Sequence, residues 1–419
     1  FQGFEDHCFD RKTGKIIPSA NAALRYYYPT QVLVTAPEIL FFWVARMIIA
    51  GYEYMDQKPF EDVYLTGIVR DKLGRKMSKS LGNSPDPLEL ISTYGADGVR
   101  TGMLFSSPAG NDLPFDEKLC EQGRNFANKL WNAFRLVKGW EVADIPQPQE
   151  NQVGKQWFES RLNQCISELA DHFAKFRISD ALLTVYKLTW DDFCSWYLEI
   201  IKPEYGKPID RATFEQTLSY FETVLKMLHP FMPFITEELW TELRKRQPKD
   251  NIITAPWPRA GQTEATVLQE ANYSFEVISE VRNIRSAKGL SPKESLTISI
   301  KQGNEVLIHH FWPVIKKLAN INTITFSQNN VPGAISFVIK STEFFVPLQG
   351  KLDTEKEIEA VRKEIAYQIG FRESVDRKLS NEKFVNSAPA NVVESERKKK
   401  ADAEAKIRAL EEQLKSLAG

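Results

Sequence analysis

A chain of 419 residues is too long for one core, so roughly two to four domains are expected. With 42% hydrophobic and 26% charged residues it has the composition of an ordinary globular protein, and it carries no secretory signal and no run apolar enough to span a bilayer. The formal net charge of −1 excludes a globally basic nucleic-acid binder and leaves only a local RNA-binding patch.

Residues 1 to about 30 read as irregular, with turn chemistry from Asp10 to Lys15, and the start at Phe1 rather than Met points to a piece of a longer polypeptide. Gln31–Thr35 is a short β-rich run of the kind a buried parallel strand shows. Pro37 suits the first turn of a following helix, and Ile39 to Met55 is apolar nearly all round, which predicts a helix buried on every side. A second strand is expected at Val63–Gly67, which completes a βαβ pattern. Asp86-Pro87-Leu88-Glu89 is a strong helix start, with a capping Asp, Pro at the first position and Glu three residues after the cap. Further helices follow to Trp140, and Glu141 to about Val153, with Pro146 and Pro148, reads as a linker.

From Trp157 to about Arg246 the periodicity is helical, with stripes at Phe173, Phe176, Ile178, Ala181, Leu182 and Val185, and at Phe221, Val224, Leu225 and Leu228. His229-Pro230 and Met232-Pro233 break it before Ile235, and Ser274–Lys288 is one more helix, so the region is a helix bundle. His229 reads as a structural corner residue, and Trp190, Phe193, Trp196 and Tyr197 as core aromatics. A small α/β module follows: strands at Leu296–Ile300, Ile321–Phe326 and Ala334–Phe345, and a helix from Val306 to Leu318 carrying surface His309 and His310. Beyond Lys351, apolar residues step by three and four (Ile358, Val361, Ile365, Gln368, Arg372, Val375, Leu379, then Ala403, Ile407, Leu410, Leu414, Leu417). With Pro389 between the two arms, this predicts an antiparallel helical hairpin.

One loop carries the chemistry. Thr66 to Asn83 reads as a strand running into a glycine-bounded loop, Gly74-Arg75-Lys76-Met77-Ser78-Lys79-Ser80-Leu81-Gly82-Asn83. Gly74 and Gly82 permit the backbone freedom of a lid. Lys76 and Lys79 are compact cations on flexible stems, suited to phosphate oxygens, and Ser78 and Ser80 add hydroxyl donors. The alternative reading is a solvated basic turn. The four cysteines (Cys8, Cys120, Cys165, Cys194) are scattered, without Cys-x-x-Cys or neighbouring histidines, which implies free thiols in a reducing compartment and no structural metal.

Lys76-Met77-Ser78-Lys79-Ser80 with Gly82-Asn83 resembles the second signature of class I aminoacyl-tRNA synthetases. Phe41-Phe42-Trp43-Val44-Ala45-Arg46-Met47, Tyr94-Gly95-Ala96-Asp97, the run from Arg124 to Asn132 and the run from Leu228 to Trp240 are similar to landmarks of the valyl members, several of them shared with the isoleucyl and leucyl enzymes. The C-terminal hairpin, with Phe384 to Pro389 at its bend, looks like the arm of the valyl enzymes. The resemblance covers essentially the whole chain, but only the C-terminal half of such an enzyme. It implies a multidomain α/β plus all-α protein: residues 1–145 the C-terminal part of a Rossmann-like nucleotide-binding domain, 146–290 a helical anticodon-binding domain, 291–350 a small α/β connector and 351–419 a coiled-coil tRNA-binding arm.

The function implied is part of a valine–tRNA ligase, which activates valine with ATP and Mg2+ and esterifies tRNA(Val), in a monomeric cytoplasmic parent enzyme. By analogy Lys79 binds the ATP phosphates, Lys76 helps hold the loop closed, and Ser78 and Ser80 support it. Glu38 falls where these enzymes place an acidic residue near the ribose hydroxyls, although Thr35-Ala36-Pro37-Glu38 departs from the valyl Gly-x-Asp pattern. Trp43 and Phe42 have two readings, core aromatics or walls of the amino-acid pocket. Arg397, Lys398, Lys399 and Lys400 are either a solvated face or a grip on the tRNA backbone. No His-x-Gly-His signature and no inserted editing domain are found in the sequence, so the expectation is that this polypeptide alone does not activate valine. The alternatives are a stand-alone tRNA-binding module or paralogue without ligase activity, or an isoleucyl- or leucyl-type enzyme.

Overall fold

Parallel pairing is the first feature the short β-rich runs produce. In the computed structural model, which describes residues 9–10, 12–17, 22–106, 111–301, 309–348, 354–381 and 389–418, β1 (Thr30–Thr35) pairs in parallel with β2 (Phe60–Leu65), Thr30 opposite Phe60 and Thr35 opposite Leu65. Between them the chain makes a 3-10 turn at Pro37–Ile39, a wide π-type turn at Leu40–Val44 and helix α1 (Ala45–Met55). This is the expected βαβ unit, with β2 starting three residues before the predicted strand. One expectation is overturned: of Leu40 to Met55, only Val44 and Gly51 are buried, while Phe41, Ile49 and Tyr52 lie open. Apolarity all round reports that a helix is to be covered, not by which segment, and the described residues of this chain do not cover it.

The chain divides into two compact units, one of Phe1–Ala143, Arg161–Trp196 and Pro203–Thr263, the other of Asp144–Ser160, Tyr197–Lys202 and Glu264–Gly419. In the first, β3 (Val69–Arg70) pairs in parallel with β4 (Leu113–Pro114). Helix α2 (Pro87–Tyr94) starts as its sequence dictates, Asp86 Oδ1 accepting from the Leu88 amide at 2.8 Å. Helices α3 (Ala96–Phe105) and α4 (Glu117–Lys138) then pack at backbone distance. A Cβ on Gly102 would lie 2.6 Å from the Cys120 nitrogen, and one on Gly123 would lie 2.5 Å from the Gly98 carbonyl oxygen.

Helix α5 (Gln149–Ala174) begins directly after Pro148, so the linker is shorter than its proline and polar content suggests. The bundle of the first unit continues through α6 (Ile178–Lys187), a π-type stretch at Leu188–Tyr197, α7 (Arg211–Leu228) and α8 (Pro233–Leu243). Ala181, Leu182, Val185, Phe221, Val224, Leu225 and Leu228 are buried as their stripes predict, whereas Phe173, Phe176 and Ile178 of the first stripe are half-buried, because the helix breaks between Ala174 and Ile178 where Phe176 takes a φ of 55°. The corner between α7 and α8 is fastened polar group by polar group: His229 Nδ1 lies 2.8 Å from Thr236 Oγ1, and Asp97 of α3 accepts from the amides of Phe234 (3.4 Å) and Ile235 (2.6 Å). Asp97 thereby takes up amides that open α8, work that a local cap does elsewhere.

In the second unit α9 (Ala265–Ala287) starts nine residues before the predicted start at Ser274, and Trp157 meets Phe275 edge to face at 4.9 Å. A four-stranded sheet follows, made by β5 (Leu296–Lys301), β6 (Ile321–Ser327), β7 (Ala334–Ile339) and β8 (Thr342–Pro347), in the order β6-β5-β8-β7. Helix α10 (Trp312–Ala319) is the crossover between the parallel strands β5 and β6. It is preceded by a 3-10 turn holding exposed His309 and His310, and the predicted start at Val306 lies outside the described residues. Last come α11 (Thr354–Leu379) and α12 (Ala390–Ala418), packed as a hairpin with Val361, Gln368 and Val375 buried against Val393, Ala403 and Ile407. Of the predicted bend, Phe384 to Ser387 and Ala388 lie outside the described residues.

Candidate functional site

Beyond the C-terminal ends of β1 and β2, the Thr66 amide donates to the Thr35 carbonyl at 2.8 Å, which brings the segment after each strand to one place. Such strand ends are where open parallel sheets hold ligands. Glu38 stands in the turn after β1, and the lysine loop follows β2 and β3. Lys76 Nζ reaches Glu38 Oε2 at 2.6 Å across 38 residues of sequence, joining two of the predicted site residues. Their side chains keep 52% and 50% of their exposure, so the contact is solvent-screened and open to exchange for a ligand.

The loop has a definite fold. Asp71 to Gly74 makes a turn in which the Gly74 amide donates to the Asp71 carbonyl at 2.9 Å, and Gly74 takes a φ of 76°. The returning strand segment is fixed by the Asp71 amide on the Arg75 carbonyl (2.9 Å) and the Met77 amide on the Val69 carbonyl (3.1 Å). Ser78 then caps a short 3-10 turn, Lys79–Leu81, its Oγ accepting from the Leu81 amide at 3.3 Å and lying 3.1 Å from Ser80 Oγ. Gly82 closes the turn with a φ of 62°, and Lys79 lies exposed with no ion pair among the described residues. One predicted lysine is therefore paired and the other is free to meet an anion.

Sequence reasoning passed over the roles of four residues. Arg70 is held by Asp112, whose other oxygen accepts from the Ile68 amide at 3.2 Å. Asp71 and Asn83 bond to each other at 3.0 Å. The signal for Asp71 was present as Asp-x-x-Gly, an Asx-turn pattern, while no pattern in the chain announces a 41-residue or longer contact such as Arg70 with Asp112. A cleft of about 690 Å³ opens beside this network, lined among others by Asp71, Arg75, Asn83, Tyr94 and Glu117.

Elsewhere the predicted site residues lie apart. Phe42 and Trp43 are each 59% exposed, and the Arg46 guanidinium lies 5.7 Å from the Trp43 ring centre. In the second unit, the four basic residues of α12 divide into two kinds. Lys399 pairs with Glu396 of its own helix at 2.6 Å and Lys400 with Asp376 of α11 at 2.6 Å, whereas Arg397 and Lys398 are exposed without a partner among the described residues. Cys120, Cys165 and Cys194 are buried free thiols, burial pushing Cys165 and Cys194 up to about 12, and Cys8 lies outside the described residues. Among the described residues no cluster of three or more His, Cys, Asp or Glu is arranged to hold a metal ion, and no helix is long and apolar enough to cross a membrane.

Three family models match in succession: tRNA synthetases class I (I, L, M and V) over residues 13–116, the anticodon-binding domain of tRNA ligase over 155–300, and the valyl tRNA synthetase tRNA binding arm over 353–418. These matches, with the lysine loop at the strand ends, place the chain in the class I aminoacyl-tRNA synthetase family. A valine–tRNA ligase from Christiangramia forsetii is 55% identical over 96% of this chain and 46% of its own length, and one from Phocaeicola vulgatus is 55% identical over 95% and 45%. The corresponding protein of Fusobacterium nucleatum is 38% identical over 95% of the chain and 47% of its own length. Within the class, the chain belongs to the valyl-tRNA synthetase family and matches the C-terminal half of its members. It spans about half the length of these curated relatives.

Proposed function

We propose that this chain supplies the lysine-loop half of the catalytic site and the tRNA-binding parts of an enzyme that activates valine with ATP and transfers it to tRNA(Val). The observation that carries this reading is the meeting of Glu38 and Lys76 beyond the ends of β1 and β2, with Lys79 unpaired beside them. In the reaction the valine carboxylate attacks the α-phosphate and pyrophosphate leaves. Both partners are anions, so the need is for positioning and for neutralising the charge that grows on the leaving group. Lys79 meets the β- and γ-phosphates, Glu38 accepts from the ribose hydroxyls, and Lys76, released from Glu38 by the ribose, turns to the triphosphate. Ser78 and Ser80 keep the turn that presents Lys79. Mg2+ enters as the companion of the triphosphate substrate. Trp43 and Phe42 wall the amino-acid side of the site. The sequence domains 1–145, 146–290, 291–350 and 351–419 serve catalysis, anticodon binding, connection and tRNA grip.

The test is valine-dependent ATP–pyrophosphate exchange by the full-length polypeptide that carries this chain. Lys79→Ala is expected to lower kcat by about 10²- to 10³-fold with the valine KM unchanged. The 419-residue chain alone, without a His-x-Gly-His segment, is expected to give no exchange. Exchange that ignores valine, or that survives Lys79→Ala intact, contradicts the proposal.

A further inference from the structure

A lysine on a flexible loop stabilises a transition state only to the extent that the loop is folded before the ligand arrives. Gly74 and Gly82, both at positive φ and with open space where a Cβ would stand, give this loop the freedom to unfold. Two side chains outside the lysine–serine run oppose that freedom.

Asp71 stands at the start of the loop, its side chain only 11% exposed. Its Oδ1 accepts from the amides of Leu73 and Arg75, each at 2.9 Å, and its Oδ2 accepts from Arg75 Nε at 2.8 Å and Asn83 Nδ2 at 3.0 Å. Asn83 stands just past Gly82, at the other end. Its Oδ1 accepts from the Ser78 amide at 2.9 Å, and its Nδ2 also lies 3.3 Å from the Lys76 carbonyl. One amide side chain therefore binds the backbone on both sides of Met77 and ties it to Asp71. The Asn83 bond, with those from Arg75 and Leu73, holds the Asp71 carboxyl well below the ordinary carboxylate range, so the acceptor stays ionised at any physiological pH.

We propose that Asp71 and Asn83 are positioning residues that brace the lysine loop in its folded form before nucleotide binds, so that Lys79 is presented to the triphosphate without an ordering step. This deepens the proposed function and rests on the reading of the loop as phosphate-binding. Neither residue touches the reacting atoms; both act through the backbone of Lys76 and Ser78.

Two readouts on the full-length polypeptide test it. Asn83→Ala is expected to speed tryptic cleavage after Lys76 and Lys79 at least about 10-fold in the nucleotide-free protein, because the loop opens locally. The exchange pair Asp71→Asn with Asn83→Asp, which restores one donor–acceptor bond in the reverse sense, recovers part of that protection. In valine-dependent exchange Asn83→Ala lowers kcat by about 10- to 100-fold, leaves the valine KM unchanged, and costs little more when added to Lys79→Ala, since both act through one loop. Wild-type cleavage rates in Asn83→Ala, or losses that multiply with Lys79→Ala, overturn the brace. A wild-type protein without exchange activity defeats the catalytic reading instead, while the cleavage rates still decide whether the brace exists.

Discussion

His229 shows how much of a residue's role is set by what folds around it. Burial pushes its pKa below the ordinary 6.5, against the opposing carboxylates of Glu237 and Asp97, and its Nδ1 is engaged with Thr236. A folded-state value below the unfolded one means that the folded protein binds fewer protons as the pH falls through about 6.5, so stability is lost on acidification from there. The urea midpoint of the first unit is expected to be lower at about pH 5.5 than at about pH 7.5, and His229→Gln to flatten that difference. An unchanged pH dependence in the variant contradicts the assignment. At this scale the lysine–serine run was legible because lysines, serines and bounding glycines sit within ten residues. The Glu38–Lys76 pair and the Asp97 bonds to α8 were not, because nothing local encodes a partner 38 or 138 residues away. The basic run at Arg397 was half legible: the sequence shows four cations and places Glu396 one turn before Lys399, but only the opposing helix shows that Asp376 occupies Lys400.

Helices were legible where one face is apolar and the other polar, and α7 buries the stripe its spacing predicts. Helix α1 departs from its prediction because an apolar surface states a need for cover and the cover is not among the described residues of this chain. The contact of α3 with α4 was invisible for another reason. Gly98, Gly102 and Gly123 read as helix-weakening residues in isolation, and become intelligible only when the two backbones touch. Ala at Gly102 or Gly123 brings a methyl against backbone atoms that cannot turn aside. Each substitution is expected to destabilise the first unit by about 1–3 kcal/mol, read as a lowered melting temperature, despite the higher helix propensity of alanine. A neutral or raised melting temperature would show that the helices can separate without cost. Gly67 is a harder case, since an added Cβ there would overlap the Asn111 carbonyl.

For the whole molecule, net charge near zero leaves RNA affinity to patches, and the hairpin offers a small one. Arg397→Ala and Lys398→Ala are each expected to weaken tRNA binding at every sequence and to reduce the salt slope by about one, while Lys400→Ala, whose charge faces Asp376, changes it less. Equal effects at all three positions would mean that the hairpin ion pairs open on binding. The proposed recognition of a valine-accepting tRNA is tested most directly by measuring the binding of this chain to that tRNA, to an anticodon-swapped version and to an unrelated tRNA over a range of salt. The tightest binding is expected to the first, weakened by the anticodon swap and by salt. Equal affinity for all three at every salt concentration would contradict it.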